Sequence, residues 1–416
     1  MTAAAPDTER EMQGLERRLL AIRARLDALG SELFEFWSTR GPDWEHGGVH
    51  GHHDRRGVPS PSASKSLVQQ ARHLWAFATW YARREPTPAV RALADCVYRF
   101  LIERFLDADG ELFHRVSRDG RRVLEPKKQL YAQSFAIFSL ATYGSLCGVA
   151  EAVERAHACF RSIDARAHDA LLGGYDQTRD PGWLSPGAQK DTNTHIHLLE
   201  ALTALYRAGG DVLVRARLLE MVDVVAHALV QPSAYTHKEF SRNFRPHGPA
   251  VVSYGHDLET AWLLFDALEA LALEDADVGA IAFRLGVSSA EQGYDAEQGG
   301  YYEEGVPGAA PTKRAKIWWV QAEAIAGLWW LHRRSGDPSF LARLEGTLDW
   351  IETRQRDPEY GEWYWGIEPD GSVGPRGDHK GEEWKTSYHG VRAMVFTSDW
   401  ITSALARGSA GAELAP

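Results

Sequence analysis

A glycine signature that returns about every 63 residues constrains this chain more than any other feature. Glycine-containing turns read HGGVHG at Gly47, DGELFH at Gly110, GGYDQT at Gly173, GGYYEE at Gly299 and GEWYWG at Gly361. The successive intervals are 63, 63, 126 and 62 residues. The double interval leaves room for one degenerate unit near Thr236, where YTHKEFSRNF stands without the glycines. A period of this kind marks a repeat architecture whose units stack to bury one continuous core. The 416 residues hold six such units.

Each interval carries two runs of helical periodicity separated by turn residues. The first kind places polar and aromatic residues near its N-terminal end, directly after the glycine signature. Examples are KSLVQQARHLWAFATWYARR, KKQLYAQSFAIFSLATYG, NTHIHLLEALTALYRAGG, GHDLETAWLLFDALEALAL and KIWWVQAEAIAGLWWLHRR. The second kind, as in PAVRALADCVYRFLIERF and SFLARLEGTLDWIETRQ, has one apolar stripe and one charged face. Six inner and six outer helices predict an all-α (α/α)6 barrel, with short β-hairpins at the mouth that the inner-helix N-termini line. Residues 1–408 are expected to form a single catalytic barrel and residues 409–416 a flexible C-terminal tail.

A formal charge of -11 argues against nucleic acid and anionic membrane as partners, since both need a basic face. No apolar run is long enough to span a bilayer, and the N-terminus lacks a signal-peptide core. Cys96, Cys147 and Cys159 are odd in number and lack close metal-type spacing, which suits reduced thiols in a cytoplasm. Fifteen tryptophans fill a helical core for the most part and leave some flat faces for sugars.

HGGVHGHHD, from His46 to Asp54, holds four histidines. Strand alternation would put His46, His50 and His52 on one face and His53 on the other, which makes a metal clip conceivable. The stretch lies where other units carry Glu, Phe, Tyr or Trp, and it has no nearby cysteine or helical histidine pair. It reads as a rim hairpin, and no metal or cofactor is expected.

The inner helices hold the stronger chemistry. Asn193 and His197 are four apart and share a helical face, while His195 turns away. His256 and Glu259 are three apart, so the carboxylate is expected to hold the imidazole's tautomer. Trp384, His389 and Arg392 stand at the start of the last inner helix, and Arg72 precedes Trp75 by three. Three histidines at one mouth, with no metal motif, nucleotide loop or serine elbow, suggest proton transfer at carbon. Two imidazoles on opposite sides of a ligand could take a proton from one face and return one to the other, which is an epimerisation.

The runs NTHIHLLEA, SYGHDLETAWLL, KIWWVQAEA, GEWYWGIEPDG and WKTSYHGVR resemble the cellobiose 2-epimerases of the N-acylglucosamine 2-epimerase superfamily, from about Trp37 to Arg392. The resemblance implies a monomeric (α/α)6 barrel that reversibly epimerises the reducing-end glucose of cellobiose or lactose to mannose without a cofactor. Carried over motif by motif, it implies His256 and His389 as the acid/base pair at C2. It implies His197, beside Asn193, in ring opening, and Arg72 against the cis-enediolate. Glu259 would orient His256, Trp319 and Trp384 would stack on sugar rings, and Tyr131 and Glu323 would complete the pocket. The chain departs from the family pattern at Gly390 after His389, at Asn243-Phe244, and at Val49 in the first hairpin.

Three other readings stay open on the residues. One is an aldose–ketose isomerase, such as a mannose isomerase, or a mannose 2-epimerase acting on free monosaccharides. Another is a glycoside hydrolase worked by paired carboxylates among Asp176, Glu259 and Glu323. The last is a sugar-binding module without catalysis, which leaves the histidines and Arg72 without a joint role.

Overall fold

The computed structural model describes residues 6–108, 110–177 and 189–413. Its helices are α1 (Pro6–Arg40), α2 (Leu67–Arg83), α3 (Pro88–Phe100), α4 (Leu130–Cys147), α5 (Ala150–Ala167) and α6 (Thr192–Arg207). They continue as α7 (Val212–Asp223), α8 (Tyr254–Leu271), α9 (Ala276–Gln292), α10 (Trp318–Ser335), α11 (Pro338–Trp350) and α12 (Tyr388–Glu413). The even-numbered helices pack in a closed ring, α2 on α4 and so on round to α12 on α2. Each odd-numbered helix packs outside one of them, and α1 closes the outer layer by packing on α12. The expected six-plus-six barrel is therefore present. Helix α12 runs on to Glu413, and residues 414–416 of the expected tail lie outside the described residues.

Local chemistry explains where the outer helices begin. Thr87, Asp211, Asp275 and Asp337 accept hydrogen bonds from the first free backbone N–H groups, and Pro88 and Pro338 follow two of these caps. The inner helices differ because both layers press on them. In α4, residues from Leu130 to Ala141 are buried all round, as a helix inside a double ring must be.

The 63-residue period resolves into six rim hairpins, each closed by one antiparallel bridge. These are Pro42 to Val49, Leu106 to Leu112, His168 to Tyr175, Val230 to Thr236, Tyr294 to Tyr301 and Arg356 to Trp363. The degenerate unit near Thr236 thus keeps its hairpin. A lysine just before the inner helix holds the hairpin's aspartate in five units, as Lys65 does Asp43 at 2.9 Å and Lys316 does Asp295 at 2.7 Å. One helical turn later a side chain binds the hairpin backbone. Gln70 both accepts from Val49 N–H and donates to its carbonyl, and Gln133 and Gln321 do the same for Leu112 and Tyr301. Gly48 makes this approach possible: its φ is +70°, and a Cβ there would lie 2.4 Å from the Gln70 amide oxygen. In the fourth unit Ala234 takes the left-handed conformation at φ 56°, and Asp257 replaces the glutamine.

Short strands then run around the rim. Lys65–Ser66 pairs with Arg115–Val116, Val252–Ser253 with Glu304–Gly305, Lys316–Ile317 with Gly366–Ile367, and His53–Asp54 with His379–Gly381. Each links the lead-in of one inner helix to a neighbouring unit. The starts of the inner helices are thereby fixed relative to one another, and the site is built there.

Candidate active site

His197, His256 and His389 all lie within the first two turns of inner helices α6, α8 and α12. His197 and Asn193 do share a face. His195 turns to the rim, where its Nδ1 meets the Asp191 carbonyl at 2.7 Å and its Nε2 accepts from Tyr175 N–H. His256 and His389 are brought together by one indole: their ring centroids lie 4.6 Å and 5.8 Å from that of Trp319. A cleft of about 280 Å³ opens beside His256 and Asn193, with Ser253, Lys238 and Thr236 in its wall.

Each histidine is held at Nδ1. His256 Nδ1 is 2.8 Å from the Ser253 hydroxyl, His389 Nδ1 is 2.7 Å from Glu323, and His197 Nδ1 is 3.0 Å from Glu200. None of the three uses its Nε2 in a hydrogen bond among the described residues, so that nitrogen is left for a ligand. Burial pushes the His256 imidazole down to about 3 and His389 well below the usual range, with nearby cationic groups adding to the effect. Both rings are therefore neutral near pH 7.

The expected pairing of Glu259 with His256 does not form. Three residues apart on α8, the two side chains diverge: His256 is half-buried toward the mouth, whereas Glu259 is fully buried and accepts from Arg392. Helical spacing permits such a contact without requiring it, and the nearby guanidinium is the stronger partner for a buried carboxylate. Glu323, expected in the pocket, likewise lies behind His389, and Arg392 Nη2 donates to it at 2.7 Å.

Arg392 is the residue that the sequence reading placed at the site without a role. Its guanidinium touches Glu200, Glu259 and Glu323 at once and lies 4.2 Å over the Tyr388 ring. Burial opposes the Glu200 charge, but Arg392, His197 and the Tyr388 hydroxyl outweigh it and hold the carboxyl at about 2. Burial and the neighbouring Glu323 push Glu259 the other way, up to about 7, because one cation cannot neutralise three carboxylates. Glu200 escaped notice in the sequence although HIHLLE spaces it three residues after His197, the same signal that suggested Glu259.

Arg72 lies across the ring on α2. It donates to the Tyr131 hydroxyl at 2.8 Å and to the Trp384 carbonyl at 3.0 Å, and its guanidinium lies 4.4 Å over Phe135. Its Nε has no hydrogen bond among the described residues, so donor capacity remains. Asn193 sits beside the same Tyr131 hydroxyl, and Trp384 is exposed 6.0 Å from the Tyr131 ring. All ten residues singled out from the sequence thus fall at this end of the barrel, eight around the mouth and Glu259 and Glu323 beneath it.

The remaining readings meet specific geometry. Only two histidines of HGGVHGHHD approach each other, and not as expected from strand alternation: the His50 and His53 rings lie 6.0 Å apart, with His53 Nε2 at the Arg40 carbonyl and His50 3.7 Å from Asp43, while His52 faces His379. Among the described residues one group of metal-type ligands lies within 4.8 Å, namely Glu259, Glu323 and His389. Arg392 already supplies positive charge there. The carboxylates weighed for hydrolysis are each committed to an arginine, Asp176 to Arg242 at 3.3 Å and the other two to Arg392.

The departures from the family pattern also find their places. Gly390 faces α1, where a Cβ would lie 2.7 Å from Leu33. Val49 is buried on Gln70, and Phe244 lies under the Lys190 ammonium at 4.3 Å. Gly390 and Val49 are packing positions turned away from the cleft.

Residues 47–393 match the family described as N-acylglucosamine 2-epimerase (GlcNAc 2-epimerase). Cellobiose 2-epimerase of Bacteroides fragilis is 29% identical over 384 residues, covering 88% of this chain and 96% of the relative. D-mannose isomerase of Thermobifida fusca is 25% identical over 396 residues, covering 90% and 93%. The solved structure of cellobiose 2-epimerase from Spirochaeta thermophila superposes with a TM-score of 0.85 at 31% identity, over 93% of this chain and 98% of that one. No helix among the described residues is long and apolar enough to cross a membrane.

Proposed function

Because the chain belongs to the N-acylglucosamine 2-epimerase family and is an isomerase-class sugar epimerase, we propose that it interconverts glucose and mannose at the reducing end of β-1,4-linked disaccharides such as cellobiose and lactose. The observation that carries this reading is the pair His256 and His389, both against Trp319, each with Nδ1 held and Nε2 free of internal partners. The resemblance to cellobiose 2-epimerases supports the disaccharide as substrate.

The reaction begins with the ring-opened sugar, whose aldehyde acidifies the C2 proton. His197, backed by Glu200, together with Asn193 and Tyr131, holds the sugar oxygens and assists opening. One of the neutral imidazoles removes the C2 proton. Arg72 stabilises the cis-enediolate, because a fixed cation acts most where charge develops. Rotation about C2–C3 presents the other face, and the second imidazole returns a proton there. Trp319 and Trp384 supply stacking faces for the two sugar rings. No step requires a metal or cofactor, and a monomeric chain carries every group named.

NMR of the purified protein with cellobiose in D2O tests this directly. The expected product is glucosyl-mannose with deuterium at C2. Untouched cellobiose, with mannose converted to fructose or glucose in a parallel sample, would overturn the disaccharide reading in favour of a monosaccharide enzyme. A rise in reducing ends would indicate hydrolysis instead.

A further inference from the structure

Proton transfer between two faces of C2 requires one imidazole to accept while the other donates, yet the site buries both His256 and His389 in neutral form. The donor's proton has to be held elsewhere. The cluster behind His389 offers the place. Ligand-type atoms of Glu259, Glu323 and His389 lie within 4.8 Å of one another, and Arg392 Nη2 touches both carboxylates. Glu259 is fully buried, and its Oε2 has no hydrogen-bond partner among the described residues. A buried carboxylate oxygen left bare is costly, whereas a protonated one is not.

We propose that Glu259 stores a proton for the reaction and feeds it through Glu323 to His389, an inference that rests on the epimerase reading above. In the donating half-reaction His389 gives its Nε2 proton to C2 while Nδ1 takes the proton of Glu323. The imidazole stays neutral throughout, and Glu259 reprotonates Glu323. In the accepting half-reaction the same bonds form and break in reverse: Nε2 takes the C2 proton, Nδ1–H passes to Glu323, and Glu259 stores it. No net charge develops on the ring in either direction. Glu259 acts through Glu323 and is a positioning residue rather than a catalytic one.

The surroundings of Glu259 favour this role. Glu323 from α10 and Glu200 from α6 raise its proton affinity, while Arg392 from α12 and His197 from α6 lower it. Tyr388 from α12 and Tyr131 from α4 also sense its charge, and burial is the largest influence. Their sum brings the Glu259 carboxyl to about 7, where it both holds and releases a proton at neutral pH. The cluster is also approached from the side opposite the sugar. A cavity of about 120 Å³ extends from Arg207 at the far end of the barrel past Thr79 as far as Glu200, which shares Arg392 with Glu259.

The test is kcat against pH for the wild type, Glu259→Gln and Glu259→Asp, with C2 deuterium followed in D2O. With the epimer whose conversion uses His389 as donor, wild-type kcat should fall as pH rises through about 7, since deprotonation of Glu259 empties the store, whereas the opposite reaction, which fills the store, should not show that fall. Glu259→Gln should lose at least about tenfold in kcat and should lack that limb, whereas Glu259→Asp should keep it. A limb unchanged in Glu259→Gln, with C2 deuterium in the wild-type product, overturns the proton store alone. No C2 deuterium in the wild-type product overturns the epimerase reading and the store with it. Should Glu259→Gln not fold, pH-difference infrared spectra of the wild type and Glu259→Asp decide. A protonated-carboxyl band lost between mildly acidic and alkaline pH, and shifted in Glu259→Asp, supports the store. A spectrum holding only a band that Glu259→Asp leaves unmoved, as Asp257 would give, overturns it.

Discussion

His256 and His389 are the same side chain against the same indole, yet what stands behind them differs. His256 leans on the Ser253 hydroxyl at 2.8 Å, a neutral group that can donate or accept by rotating about its C–O bond. Either tautomer of His256 is thereby supported, but the ring must carry any added proton as its own charge. His389 leans on Glu323 at 2.7 Å, and behind Glu323 stand Arg392, Glu259 and Glu200. The first histidine is backed by a swivel and the second by a charged network. The lesson is that two bases serving one carbon need not be equivalent, and their inequality can be measured.

The largest expected effect tests the pair itself. His256→Ala and His389→Ala should each lower kcat by about two to four orders of magnitude, the usual range for a general acid or base. Initial rates of epimerisation check this, and near-normal turnover in either variant removes that residue from the chemistry. Next comes the network. Arg392→Met leaves three buried carboxylates without their cation and should cost roughly 3–5 kcal/mol of stability in denaturant titrations. A loss below about 1 kcal/mol would mean that the cluster is not held by charge.

A finer comparison separates the two backings. Glu323→Gln removes a charge-assisted hydrogen bond worth about 1.5–3 kcal/mol, so kcat should fall roughly ten- to a hundredfold. Ser253→Ala removes a neutral one worth about 0.5–1.5 kcal/mol, and its loss should be about tenfold or less. Equal effects in the two variants would break the asymmetry. The smallest expected effect is none: prolonged treatment with a chelator should leave turnover unchanged, because the Arg392 guanidinium rather than a metal ion holds Glu259 and Glu323. Activity lost and then restored by one divalent ion would return HGGVHGHHD or the buried carboxylates to consideration as ligands.

Much of this was legible in the chain. The 63-residue glycine period located five rim hairpins, and the gap in it located the sixth at Val230 to Thr236. Helical spacing placed Asn193 with His197 and turned His195 away, as the structure does. The same rule applied to His256 and Glu259 named a pair that does not form, while His197 and Glu200 obey it at 3.0 Å. Two candidate i, i+3 pairs look alike in sequence, and Arg392 from α12 touches both carboxylates, yet only Glu200 also reaches its histidine, because His256 is taken by Ser253 instead. The partner of His389 was out of reach altogether, since Glu323 lies 66 residues earlier on a different inner helix.

The sequence by itself determined the unit: where a helix starts, which stripe is apolar, where glycine allows a tight rim turn, and how often all of this repeats. Those are local properties, set by backbone sterics and a periodicity of 3.6. Only the tertiary structure decided which carboxylate backs which histidine. Closing the ring brings α6, α8, α10 and α12 to one axis, where Glu200, Glu259, Glu323 and Arg392 are all buried. There a buried ion takes as partner whatever opposite charge lies within about 3 Å, however distant in the chain, because leaving it unpaired costs far more than any local spacing rule can offset.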